Sequence, residues 1–487
     1  MSTIRRIAKN TGFVFFGNNA LKILSIILIF LIARYLGDAE YGKLSFVLSF
    51  TGLFFILTDL GTRILVVREI AQDKKKSPKV VSTILTLKAM TSFFVFFLIL
   101  LAAFLLNYEK ELILGIGIAA IGMIFDSFST TLNSIFQAYE RMEFPTITKI
   151  AKILIRFLIT VPLLLSGIDF ISVLAIFVFV QFLNLLFSLI FCFKLFVKPI
   201  FVFDRDYMMS LVKRSFPFLL SGIFVTVYFR IDVTLMSKLA PTALPGIYSE
   251  TTREAVIGWY SSAYNILDGM ISIAGALSAA MLPVAISYYK TSKKNLIRLY
   301  RLSVRYLTYL SIPAAVGIYI LAEKIIILIY GYEYVNAVFA LRILIWTIIP
   351  LYVNYVLGAM TIAMHKEKQT VYVLFGNCLV NLGLNIVLIP KLSLVGAALA
   401  TVLTEIFYFG GYYYIVSKNL TRLNLFNLLY KPVTASIMMA ILLLRLKEFL
   451  NVFALVPIGF ITYFLIMFLS KAFEKQDIEL VKKIVKR

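Results

Sequence analysis

Apolar runs of about 20 residues, the length at which an α-helix crosses the hydrocarbon of a bilayer, recur about fourteen times along the chain. They lie near residues 13–33, 44–62, 80–106, 112–138, 146–166, 170–196, 216–239, 257–282, 304–330, 336–364, 369–389, 394–416, 430–446 and 451–470. Short polar links separate them. The pattern predicts an all-α polytopic membrane protein with about 14 transmembrane helices. Composition agrees. Of 487 residues, 61% are hydrophobic and 15% charged, at a mean hydropathy of +0.93, more apolar side chain than a soluble domain of this size needs. The opening "MSTIRRIAKN" is a basic stub with no small-residue cleavage site behind it, so no cleaved leader is expected.

Lys and Arg then sort by side. The opening stub, the links after even-numbered runs and the tail, helix ends included, hold 34 of the 48; links after odd-numbered runs hold 9. Cytoplasmic loops carry the excess of positive charge. Both termini and the links "QDKKKSPK" and "YYKTSKKNLIRLYR" are therefore expected in the cytoplasm, against anionic headgroups. The net charge of +23 follows from that orientation. Nucleic acid is not an expected partner, because no soluble basic and aromatic module is present to carry it. Cys192 and Cys378 sit in apolar runs, and the one histidine, His365, lies in the link "HKEK". Zinc sites and His-based nucleophilic catalysis are not expected on that stock of side chains, nor is any organic cofactor.

The two halves of the chain look alike. "ARYLGDAEYGKLSF" follows the first run, and "SKLA" through "IGWYSSAY" follows the seventh. "REIAQDKKKSPKV" after the second run matches "ISYYKTSKKNLIRL" after the eighth in length and charge. The expected organisation is two pseudo-symmetric six-helix bundles, residues 1–199 and 200–420, with two further helices and a basic tail in 421–487. Two bundles facing each other across a cavity form a transporter architecture.

"ARYLGDAEYG" at 33–42, "TDLG" at 58–61 and "VREIAQ" at 67–72 resemble the opening signature of the polysaccharide-transporter family. These are the Wzx-like flippases of the multidrug/oligosaccharidyl-lipid/polysaccharide exporter superfamily. The motifs cover the first two helices. The resemblance implies a V-shaped pair of bundles working by alternating access, a transporter and not an enzyme. It also implies a cargo of oligosaccharide on a polyprenyl or dolichyl phosphate or diphosphate. That cargo would pass from the cytoplasmic to the outer leaflet of a prokaryotic plasma membrane, for surface polysaccharide or glycoprotein glycan assembly. A functional monomer beside glycan-assembly enzymes is the matching expectation.

Five cations remain inside the runs: Lys22, Lys88, Arg156, Arg230 and Arg342. A charge at the centre of a membrane helix costs about 2.5–3.5 kcal/mol on insertion scales and usually faces a bundle interior or water. The functional reading makes these five, with Asn18 and Asn19 one turn before Lys22, a cradle for an anionic headgroup. Lys88 and Arg342, nearer helix ends, are also placed to snorkel to a headgroup. The alternative is structural pairing with acids such as Asp59, Asp126 or Asp268.

Arg230 and Asp232 are two residues apart, hence about 200° apart around one helix, and need separate partners. Asp232, Asn377, Asn381 and Thr401 offer an all-oxygen set suited to Na⁺. The resemblance places a sodium site on these three helices, with a second carboxylate where this chain has Asn. Proton coupling through Asp232, or plain interhelical hydrogen bonding, are the alternatives. Two other functions stay open beside the flippase: a multidrug exporter of the same superfamily and a membrane polymerase or ligase. Organic-cation cargo prefers acidic or aromatic cavities. The longest outer link offers a polymerase only Glu250 and Glu254.

Overall fold

The computed structural model describes residues 22–197 and 204–473, and its long elements are all helices. After α1 (22–36) come α2 (Asp38–Asp59), α3 (Thr62–Gln72), α4 (Ser77–Leu105), α5 (Lys110–Ala138), α6 (Glu143–Leu164) and α7 (Phe170–Leu195). The remainder are α8 (Arg205–Leu239), α9 (Arg253–Thr291), α10 (Lys293–Tyr330), α11 (Ala337–Leu344), α12 (Ile348–Ala363), α13 (Glu367–Asn419), α14 (Leu425–Leu446) and α15 (Val452–Leu469). Among the described residues no strand forms, only a single antiparallel bridge between Leu244 and Tyr248. The all-helical membrane fold expected from the apolar runs is what the chain adopts.

Eleven stretches among the described residues are long and apolar enough to cross a bilayer. Three features shape that number. Only residues 22–36 of the first helix are described, short of a full crossing. α6 carries Lys149, Lys152 and Arg156 within the length of one crossing, too many charges for a simple span. α13 is 53 residues long but breaks at Ser393 (φ 51°, ψ −130°), so 367–392 and 394–419 are two helices folded back on each other. Their packing is close. A Cβ on Gly396 would fall 2.3 Å from the Leu388 carbonyl oxygen, and one on Gly411 would fall 2.6 Å from Val373.

The conspicuous motifs are turns and pairings. Gly37, inside "ARYLGDAEYG", has φ 78° and separates α1 from α2. In "TDLG", Leu60 and Gly61 are both left-handed (φ 53° and 66°) and divide α2 from α3. Gly61 is doubly constrained, because a Cβ there would also lie 2.7 Å from the Leu219 amide nitrogen.

Contacts divide the chain into two compact units, one of residues 1–243 and 249–261, the other of 244–248 and 262–487. In the first unit α5 packs on α7, α4 and α2, while α8 lies along α2 and α3. Its apolar core gathers Val66, Ile70, Ile84, Phe136 and Leu211. In the second unit α10 packs on α12 and α14, and α12 on α13. The last two helices are tied in there, with the Tyr463 hydroxyl donating to the Tyr309 carbonyl at 2.8 Å.

Within the first unit α2 and the first turns of α9 touch backbone to backbone. A Cβ on Gly42 would fall 1.7 Å from the Glu254 carbonyl oxygen, and one on Gly258 would fall 2.0 Å from that of Asp38. Gly42→Ala is therefore expected to lower the melting temperature of the purified protein, despite alanine's better helix propensity. Gly383→Ala, with nothing within 4 Å of its Cβ, should leave it unchanged or raise it. Equal melting of the two variants would contradict this packing.

The start of α8 is clamped to the first unit by charge. Lys79 Nζ lies 2.7 Å from the carboxylate of Asp204, which also caps α8 by accepting from the Tyr207 amide; Arg214 and Tyr207 both engage Glu69. The bond from Lys79, then the cap, hold the Asp204 carboxyl below its ordinary range. A depressed carboxyl stabilises the fold above its unfolded pKa, near 3.8, and that contribution fades as pH falls through the lower folded value. Lys79→Gln should raise the pH at which the Asp204 carboxyl protonates, read by carboxyl NMR titration.

Candidate functional site, a cationic stripe in the first unit

Lys149, Lys152 and Arg156 occupy positions i, i+3 and i+7 of α6, one face of the helix, spread over about 10 Å of its axis. α5 supplies the acid. Lys152 Nζ lies 3.0 Å from Asp126 Oδ1, with both side chains partly exposed. The field of Asp126 also reaches Arg156, one turn further along α6. The Arg156 guanidinium lies 3.0 Å from the centroid of the Phe177 ring on α7, a cation–π stacking contact. Its Nε is buried and makes no hydrogen bond. Lys149 stands within electrostatic range of both Lys152 and Lys22, so α1 contributes its cation to the same region.

The structure thus brings together Lys22 and Arg156, two of the expected headgroup ligands, and adds Lys149 and Lys152. Sequence reasoning missed that pair because the start of their run was counted with the preceding link toward orientation. The signal was there: a cation every three to four residues leading up to Arg156 is a helical stripe, not a scattered loop charge. Asn18 and Asn19 lie outside the described residues.

The other three cations differ in kind. Lys88 is sealed: its side chain is 0% exposed and its ammonium lies 2.9 Å from Asp59 Oδ1, donating also to the Ser127 carbonyl and hydroxyl. That geometry is the structural pairing held open above, and it leaves the ammonium no bond for a ligand. Asp59 is the acid of "TDLG", so the motif supplies a buried counter-ion as well as a turn. Arg230 is exposed on α8, its stem crossing Gly52 of α2 with Nε 3.5 Å from a Cβ built there. Arg342 is in the second unit, 5.9 Å from the Tyr319 ring, with a buried Nε that makes no hydrogen bond.

The oxygen set divides likewise. Asp232, in the first unit, is 4% exposed; it accepts from the Tyr260 hydroxyl and, at 2.8 Å, from the Val233 amide. Asn377, Asn381 and Thr401 belong to the second unit. Asn381 donates to Thr404 (3.4 Å), Thr401 to the Ala397 carbonyl (3.0 Å), and Asn377 Oδ1 is buried without a hydrogen bond. Glu405, whose partner the sequence did not name, accepts from Asn354 Nδ2 at 2.7 Å. Among the described residues no three His, Cys, Asp or Glu side chains converge as a metal site.

A family model described as "polysaccharide biosynthesis protein" matches residues 7–289. Solved structures share the fold. A lipid II flippase, MurJ, in an inward closed conformation superposes with TM-score 0.76 at 16% identity, covering 94% of this chain and 98% of that one. An inward-facing multidrug resistance MATE transporter of the MOP superfamily gives 0.63 at 16% identity, covering 82% and 95%. A MOP superfamily transporter from Pyrococcus furiosus, described by the reverse polarity of its binding pocket, gives 0.57 at 16%, covering 86% and 96%. No curated protein sequence matches the chain.

Proposed function

Since this chain belongs to the polysaccharide biosynthesis protein family, we propose that it is a flippase for a lipid-linked oligosaccharide. It moves the sugar-bearing phosphate or diphosphate headgroup from the cytoplasmic to the outer leaflet while the polyprenyl or dolichyl tail stays in lipid. The observation that carries this reading is the α6 stripe. Lys149, Lys152 and Arg156, joined by Lys22, present four cations to a region where Asp126 is the acid in contact. Cations in hydrocarbon lower the cost of bringing phosphate oxygens away from water, and Arg156 has a donor to spare.

The full topology in this proposal has fourteen spans in two six-helix bundles plus α14 and α15, with both termini in the cytoplasm. The charge distribution between links supports it. Alternating access then follows from differential affinity, the headgroup binding the inward-open state more tightly than the outward-open one. A sodium ion or proton is the coupling species in this scheme, with Asp232 as its carboxylate.

The cationic stripe disfavours the exporter reading, because a positively charged drug would be repelled by it. Proteoliposomes separate the two. With a fluorescent polyprenyl diphosphate glycan in the outer leaflet, the protein should speed loss of quenchable signal while leaving ethidium accumulation at the empty-liposome level. Ethidium transport without glycolipid movement would replace the flippase with the exporter.

A further inference from the structure

We propose that Asp126 is a resident stand-in for the cargo's phosphate. It neutralises Lys152 while the site is empty and is displaced when the anionic headgroup arrives. This rests on the flippase reading above.

Two ion pairs in the first unit make the contrast. Lys88 and Asp59 lie at 2.9 Å with side-chain exposures of 0% and 7%; Lys152 and Asp126 lie at 3.0 Å with 23% and 29%. The first pair is shut off from any ligand. The second is partly exposed, so a stronger anion can reach Lys152 and exchange for the carboxylate.

Asp126 is also an incomplete partner for the stripe. It bonds Lys152, yet Arg156 Nε one turn away stays without an acceptor, though the field of Asp126 reaches it. A diphosphate has more charged oxygens and a longer span, enough to bond Lys152 and Arg156 together. It therefore wins the exchange.

On departure the carboxylate returns to Lys152. The stripe never has to stand bare in hydrocarbon, which would be costly for each cation left unpaired. The swap gives release as well as capture. Without the stand-in the cations would hold their cargo and turn over slowly.

The test uses the purified full-length protein in detergent with inorganic pyrophosphate as probe, its binding followed by calorimetry. Asp126→Asn and Asp126→Ser remove the competing charge and should bind pyrophosphate about fivefold or more tightly than the parent. Asp126→Glu keeps the charge and should stay near the parent value. In the liposome assay the neutral variants should flip the glycolipid more slowly despite binding better.

Parent binding with unchanged or weaker binding in both neutral variants would overturn the counter-ion exchange and leave the flippase reading standing. Absence of pyrophosphate binding in parent and variants alike would overturn both. The pair of neutral substitutions guards against one that fails to fold.

Discussion

Arg156→Gln should lower glycolipid translocation about tenfold or more while leaving the melting temperature of the purified protein nearly unchanged. A hydrogen bond to a charged group contributes about 1.5–3 kcal/mol, and each 1.4 kcal/mol is a factor of ten. The stabilising contact of Arg156 in the empty protein is its stacking on Phe177, which contributes about 0.5–2 kcal/mol. Against that stands the cost of a buried cation whose Nε has no acceptor. The two nearly offset each other, so its value is expected in transport. Arg156→Lys should be intermediate, since an ammonium keeps the charge but lacks the planar fork that engages two phosphate oxygens. Liposome translocation beside thermal melting reads both quantities. A variant that melts early and transports normally per folded molecule would reverse the assignment.

Lys88→Met should behave the opposite way, with a large loss of stability. Removing one partner of a buried ion pair costs about 3–5 kcal/mol, because the other charge is left uncompensated. Lys88 leaves more than Asp59 behind: the Ser127 hydroxyl and carbonyl also lose the ammonium, though the carbonyl keeps the Thr130 and Thr131 hydroxyls. α2, α4 and α5 meet at this point, so the damage spreads through the first unit. Asp59→Leu should rescue much of it. The double variant replaces the pair by apolar volume, and such exchanges are often neutral. A melting series of the two singles and the double gives the coupling energy directly. Additive losses would mean that the 2.9 Å contact is not an energetic unit.

The helices were legible because the hydrocarbon thickness fixes their length, and a run of that length has few other uses in a chain this apolar. Even the fold-back in α13 was readable. Its two runs are separated by only a few residues, "PKLS", and the break falls at Ser393. The family motifs were legible only as strings. Their reasons lie in coordinates: left-handed φ at Gly37, Leu60 and Gly61, and a carboxylate at Asp59 whose partner is 29 positions away.

The partners of the intramembrane cations were not legible for the same cause. A salt bridge between helices leaves no periodic trace in sequence, so nothing there says which of Lys88 and Arg156, both cations inside apolar runs, has a carboxylate partner. Burial and pairing then set them apart, one sealed on Asp59 and the other stacked on Phe177 with a donor unused. Lys149 and Lys152 escaped notice through bookkeeping by side of the membrane, where helical phase would have found them. For the proposed ion site the sequence supplied Asp232, Asn377, Asn381 and Thr401; the structure gives hydrogen bonds to Asp232, Asn381 and Thr401 and leaves Asn377 Oδ1 buried without one.

The most direct measurement is translocation of a fluorescent polyprenyl diphosphate glycan by reconstituted protein in which Lys22, Lys152 and Arg156 are all replaced by Gln. This variant should fold, melt near the parent and move glycolipid no faster than empty liposomes. Translocation at the parent rate would show that these cations do not meet the headgroup, and the proposed site would be wrong.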